Sequence, residues 1–271
     1  MKQPKFNLYV RLMRLDKPIG IFLLLWPTLM ALWLAGNGKP TFFMIGVFVI
    51  GTVVMRSAGC VINDLADKNF DKAVIRTKDR PLAVGVLAPK EAIMLFCVLI
   101  TLAFILVLQL NLFTVMLSCI ALLLATIYPF MKRYTAFPQV VLGAAFGLAV
   151  PMAFTAIRGD IPKEALLLYL ITILWAVVYD TQYAMVDKQD DMLIGIKSTA
   201  ILFGALDKAI IGVLQLTVLI LFVILGILLR FGKMYYFSLV AASGLALYQQ
   251  YLIKDRIPGQ CFRAFLSNNF F

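Results

Sequence analysis

Histidine is absent from the 271 residues, which removes imidazole ligation of haem or zinc and the commonest general base together. Charge is scarce: 14% of residues are Asp, Glu, Lys or Arg, against about 25% in an ordinary soluble domain. Acid is scarcest, with 14 residues against 25 basic ones and a net charge of +11. The four cysteines, Cys60, Cys97, Cys119 and Cys261, show no CxxC spacing and read as small apolar packing residues. No linker of polar composition interrupts the chain, so a single domain over residues 1–271 is expected.

What fills the chain is apolar. Hydrophobic residues make up 62% of it, more than a soluble fold of this size can hide, so the expected solvent is lipid. A spanning helix needs about 20 mostly apolar residues. Stretches of that kind run near 19–36, 42–62, 92–109, 112–130, 138–157, 165–186, 209–229 and 234–253. The fold class expected is all-α: a polytopic transmembrane helical bundle of eight complete spans. A ninth apolar start, Cys261–Phe271, is too short to cross. Pro151 should kink the fifth span, since it cannot donate a backbone hydrogen bond.

The basic residues lie between the apolar runs and not on one polar face, which argues against a nucleic-acid partner. Counted over alternate connections, they split 19 to 5, with Arg56 left over inside a span. The majority set includes Lys2, Lys68, Arg76, Arg80, Lys132, Arg133, Lys188, Lys197 and Arg256; the minority is Lys39, Arg158, Lys163, Arg230 and Lys233. Such a bias places the amino terminus and the long loops in the cytoplasm. The first span lacks a small-x-small cleavage site and is followed by seven more, so it reads as an uncleaved anchor.

The acids are concentrated where the second and sixth spans reach that same side. The first cluster is Asn63-Asp64-Leu65-Ala66-Asp67-Lys68-Asn69-Phe70-Asp71, with Asn63, Asp67 and Asp71 at i, i+4 and i+8, one face of a helix. The second runs from Asp180 to Asp191, with Asp187 and Asp191 again at i, i+4. Asp64 to Asp71 and Asp180 to Asp187 repeat the same separation, a hint of an ancient duplicated four-helix unit. A single such cluster reads equally well as a solvated helix end. Two, on one side and at one spacing, point to function. Mg²⁺ takes oxygen ligands and is usually held by one or two carboxylates together with substrate phosphates. Lys68, Arg76, Arg80, Lys132, Arg133 and Lys197 in the adjoining segments can take up charge on a leaving diphosphate. Arg56 lies two turns before Asn63, about 10 Å deeper. It must face the bundle interior, either as a structural partner of an acid such as Asp180 or as an anchor for an anionic acceptor.

These segments resemble the bacterial 4-hydroxybenzoate polyprenyltransferases, a branch of the UbiA superfamily. The resemblance rests on Leu15–Gly20, Met55–Cys60, Asn63–Asp71, Arg76 with Arg80-Pro81, Tyr128–Tyr134, Tyr179–Asp187 and Gly195–Ala200. It implies a helical bundle around a central cavity open to lipid, in a bacterial inner membrane. It implies Mg²⁺-dependent transfer of a long polyprenyl group from a polyprenyl diphosphate to the carbon ortho to the hydroxyl of 4-hydroxybenzoate, towards ubiquinone. It implies Asn63, Asp67, Asp71, Asp187 and Asp191 as metal ligands, with Asp67, Asp71, Asp187 and Asp191 catalytic. Arg56 and Asp180 fall to the acceptor on this reading. It also implies a final ninth span, of which this chain has only the apolar start. Two other readings compete: a related enzyme prenylating a naphthoate, a haem or a chlorin, and a transporter, which would place its acids at the midplane instead of one boundary.

Overall fold

The structure, a computed structural model, describes residues 4–271; Lys2, counted above, lies outside them. Regular structure among the described residues is entirely helical. In chain order the helices are α1 (Lys5–Leu12), α2 (Ile19–Ala35), α3 (Phe42–Asp67), α4 (Pro89–Val107), α5 (Leu112–Tyr134), α6 (Pro138–Gly147), α7 (Ala149–Arg158), α8 (Lys163–Leu193), α9 (Thr199–Phe203), α10 (Asp207–Leu228), α11 (Lys233–Ile253) and α12 (Pro258–Ser267). Each of the eight apolar stretches has become a helix or, for the fifth, a pair. Six segments are long and apolar enough to cross a membrane: α3, α4, α5, α6 with α7, α8, and α9 continued into α10. Helix α2 is apolar but has only 17 residues. Helix α11 is long enough, but Tyr, Ser and Gln dilute its apolar run. The segment from Cys261 folds as most of α12 and a closing 3₁₀ turn, Asn268–Phe270.

Local chemistry sets the helix ends. Thr41 caps α3 by accepting from the Met44 amide at 3.3 Å. Pro89 opens α4, where its missing donor costs nothing, and Glu91 Oε2 accepts from the Ala88 amide at 2.9 Å. The last carbonyls of α2 are taken by a side chain distant in sequence: Arg158 donates from Nε to Ala35 O at 2.9 Å and from Nη2 to Leu34 O at 2.7 Å. The expected interruption of the fifth span is present. Pro151 cannot donate to the carbonyl of Gly147, and the helix breaks at Leu148 between α6 and α7.

The chain divides into two compact units: one takes the chain up to Phe130 with Met152–Gly159, the other Met131–Pro151 with Asp160–Phe271. In the first, Leu8 and Leu12 of α1, Ala58 and Val61 of α3, Leu82 and Leu87 of the following loop, and Ala92 and Leu99 of α4 form one core. In the second, α6 lies close against α8, because a Cβ on Gly143 would sit only 2.9 Å from the Ile173 carbonyl oxygen. Here too a chain of buried amides crosses the apolar interior. Trp175 Nε1 donates to Asn268 Oδ1 (3.1 Å), Asn268 Nδ2 to Gln182 Oε1 (2.7 Å), and Gln182 Nε2 to Gln249 Oε1 (3.1 Å). Gln215 Nε2 donates to that same oxygen at 2.7 Å, so α8, α10, α11 and the closing turn are tied together. The cysteines divide: Cys60 and Cys261 are buried as expected, whereas Cys97 and Cys119 lie on exposed faces of α4 and α5 and pack nothing.

Candidate active site

The first acid cluster begins on α3 and finishes outside it. Asn63 is half-buried, and Asp64 and Asp67 are almost fully buried in the last helical turns. The helix stops at Asp67, so Asp71 does not continue the i, i+4, i+8 face expected from spacing. A 3₁₀ turn, Asp71–Ala73, carries it instead, and its carboxylate folds back into the protein. Two arginines hold this cluster. Arg14 has a positive φ of 56°, which turns the chain after α1 and lets Nη2 reach Asp64 Oδ1 at 2.7 Å. Arg80 Nη1 lies 3.0 Å from Asp64 Oδ1 and 3.0 and 2.9 Å from the two oxygens of Asp71. One guanidinium therefore joins the helix end to the turn. Thr77 Oγ1 fixes the same turn by donating to the Asp71 carbonyl at 3.1 Å.

Burial dominates the electrostatics. It pushes the Asp71 carboxyl above the usual carboxylate range; Arg80 opposes the shift, and Asp64 and Asp67 add to it. Three buried carboxylates, Asp64, Asp67 and Asp71, gather here with the guanidiniums of Arg14 and Arg80. Their oxygens are the hard donors that Mg²⁺ takes, so the donor chemistry fits that ion. Among the described residues, no three acidic or cysteine side chains already form a metal cage. Lys68 is half-buried and Arg76 exposed on the loop that follows α3.

The second cluster stays within α8, so Asp187 and Asp191 do share a helical face, both half-buried, with Asp180 two turns earlier. Lys188, between them in sequence, is held elsewhere: Nζ donates to the Gly204 carbonyl at 3.0 Å and to Asp207 Oδ2 at 3.2 Å. Asp207 is fully buried and also receives Arg256, through Nε at 3.0 Å to both oxygens and Nη2 at 2.7 Å to Oδ1. The bidentate Arg256 pair joins the start of α10 to the turn after α11, and Lys188 ties the end of α8 to the same carboxylate. Asp207 was not singled out from sequence, because nothing in its spacing relates it to the Asp180–Asp191 run.

The second unit also gathers two of the basic segments. The Lys197 amide donates to the Lys132 carbonyl at 2.9 Å, and Lys197 Nζ to the Tyr134 carbonyl at 3.3 Å. Thr199 then ties the segment inward, its amide bonded to Gln139 Oε1 at 3.1 Å and its hydroxyl to Thr181 of α8 at 2.6 Å. Lys132, Arg133 and Lys197 are thus neighbours although their numbers are not. Arg56 is half-buried on α3 in the first unit, and Asp180 is half-buried on α8 in the second.

Comparison with known proteins adds relatives of every part of this arrangement. The profile described as the UbiA prenyltransferase family matches residues 24–271. A 4-hydroxybenzoate octaprenyltransferase of Escherichia fergusonii is 56% identical over 270 residues, 100% of this chain and 93% of that protein. One of the same name from Coxiella burnetii is 55% identical over 261 residues, covering 96% and 91%. Among solved structures, the apo form of a UbiA homolog from Aeropyrum pernix K1 shares the fold with a TM-score of 0.81 at 24% identity, over 92% of this chain and 94% of that one. A UbiA homolog from Archaeoglobus fulgidus bound to GPP and Mg²⁺ shares it at 0.74 and 18%, over 97% and 98%.

Proposed function

The chain belongs to the UbiA prenyltransferase family, and from that premise we propose that it transfers a long polyprenyl group from a polyprenyl diphosphate to 4-hydroxybenzoate. The observation that carries this reading is the 56% identity over the whole chain to a relative named for that reaction. The whole chain, 1–271, acts as one prenyltransferase domain, with eight spans and a short ninth segment, in a bacterial inner membrane. Its amino terminus and both acid clusters lie on the cytoplasmic side, as the 19 to 5 split of basic residues favours.

Asn63, Asp67, Asp71, Asp187 and Asp191 would hold Mg²⁺ on this reading. When bound, Mg²⁺ would neutralise diphosphate oxygens and make the diphosphate a better leaving group. The chain's own residues do the rest. Arg80 and Arg14 hold the first carboxylates in place before substrate arrives. Lys68, Arg76, Lys132, Arg133 and Lys197 take up negative charge as the allylic C–O bond breaks. Arg56 orients the acceptor by its carboxylate, and Asp180 is assigned to acceptor binding as well. The ring carbon ortho to the hydroxyl then forms the new C–C bond, and the proton displaced from it passes to an aspartate or to the released diphosphate.

Membranes containing the protein, supplied with 4-hydroxybenzoate and a mixture of polyprenyl diphosphates, should yield a 3-polyprenyl-4-hydroxybenzoate by mass spectrometry. Prenylation of a naphthoate or a porphyrin in the same panel, with none of 4-hydroxybenzoate, would overturn the acceptor.

A further inference from the structure

Gly20 occupies the first turn of α2, and Arg56 the middle of α3. Both belong to the first unit, where the guanidinium of Arg56 lies directly over the Gly20 backbone. A Cβ built on Gly20 would overlap Nε and Nη2 of Arg56 and stand 2.7 Å from its Cζ. Glycine is a poor helix former, and alanine would suit this turn better. Its place here calls for a reason of close approach, and the guanidinium supplies one. The atoms that a methyl group would displace are the far end of a flexible side chain, not backbone. The fold can therefore absorb the change by moving the guanidinium, and the burden falls on whatever that guanidinium holds.

We propose that Gly20 is a positioning residue: by leaving room for the Arg56 guanidinium against α2, it sets the place and plane in which Arg56 meets the carboxylate of a small aromatic acid. The proposal rests on the reading that Arg56 receives the acceptor. A guanidinium fork engages a carboxylate through two parallel hydrogen bonds only in one plane. Tilting it by the width of a methyl group leaves at most one of those bonds.

The test is a double-mutant cycle of Gly20→Ala and Arg56→Lys, with 4-hydroxybenzoate and octaprenyl diphosphate as substrates. Loss of one charge-assisted bond raises the acceptor KM about tenfold in Gly20→Ala, with the diphosphate KM unmoved. In the Arg56→Lys background, where the fork is gone, Gly20→Ala should add little further. Full additivity of the two changes, or a folded Gly20→Ala enzyme with unchanged kinetics, overturns the proposal. If both changes move only the diphosphate KM, and do so non-additively, the positioning of Arg56 by Gly20 stands and the acceptor reading falls. Should Gly20→Ala fail to fold, Arg56→Lys must restore folding to it, since the slimmer side chain makes room; failure to do so overturns the contact itself.

Discussion

Asp71, a proposed metal ligand, carries a cost to the fold. Its carboxyl is raised by burial more than Arg80 lowers it. Between the unfolded and folded values the native chain holds the extra proton. Stability from the neutral acid is therefore complete below the ordinary carboxylate range and is lost as pH rises through the raised value. In chelator-treated protein, Asp71→Asn should remove that dependence and leave the thermal midpoint at neutral pH no lower than before, while prenyl transfer is lost. A lower midpoint with activity retained would return Asp71 to a structural role. Arg80 acts through its neighbours. Arg80→Ala removes the guanidinium nitrogen that spans Asp64 and Asp71, so the Mg²⁺ concentration for half activity should rise roughly 10–100-fold. Little of this was legible beforehand. The run of Asp residues is plain in the sequence, but Asp71 lies off the helix face, held by Arg80 and Thr77 in a turn with no periodic signature.

At the scale of elements the reading went further. Long apolar runs can satisfy their backbone in lipid only as helices, so every expected span has become helical, and the break at Leu148 follows from Pro151 by geometry. Connections were harder, because their contacts join residues far apart in number. The meeting of Lys132 with Lys197 is one such contact, and the anchoring of α8 by Asp207 is another. Asp207→Asn should cost about 1.5–3 kcal/mol, the range for hydrogen bonds to charged groups, towards the low end because Lys188 and Arg256 keep access to solvent. It should also loosen the end of α8 that carries Asp187 and Asp191. Hydrogen exchange would show faster labelling there, and Arg56-dependent acceptor KM should be unaffected. Unchanged exchange over residues 187–193 would refute the anchoring role.

For the whole molecule, the chemistry and the topology make separate predictions. A strong chelator should abolish turnover and Mg²⁺ should restore it, since on the proposed reading the four aspartates would otherwise repel a diphosphate; full turnover in excess chelator would sink the metal assignment. Asp160→Ala should leave turnover within about twofold, as an exposed change just before α8, at the opposite end of that helix from Asp187 and Asp191. The buried amides of the second unit carry one more consequence. Gln182, Gln249 and Asn268 are sealed from solvent, so their side-chain protons can trade places with deuterium only when the helices around them part. Placed in heavy water, the folded protein should keep ordinary hydrogen at these nitrogens long after its loops have exchanged, an isotopic memory that fades at the rate at which the unit opens.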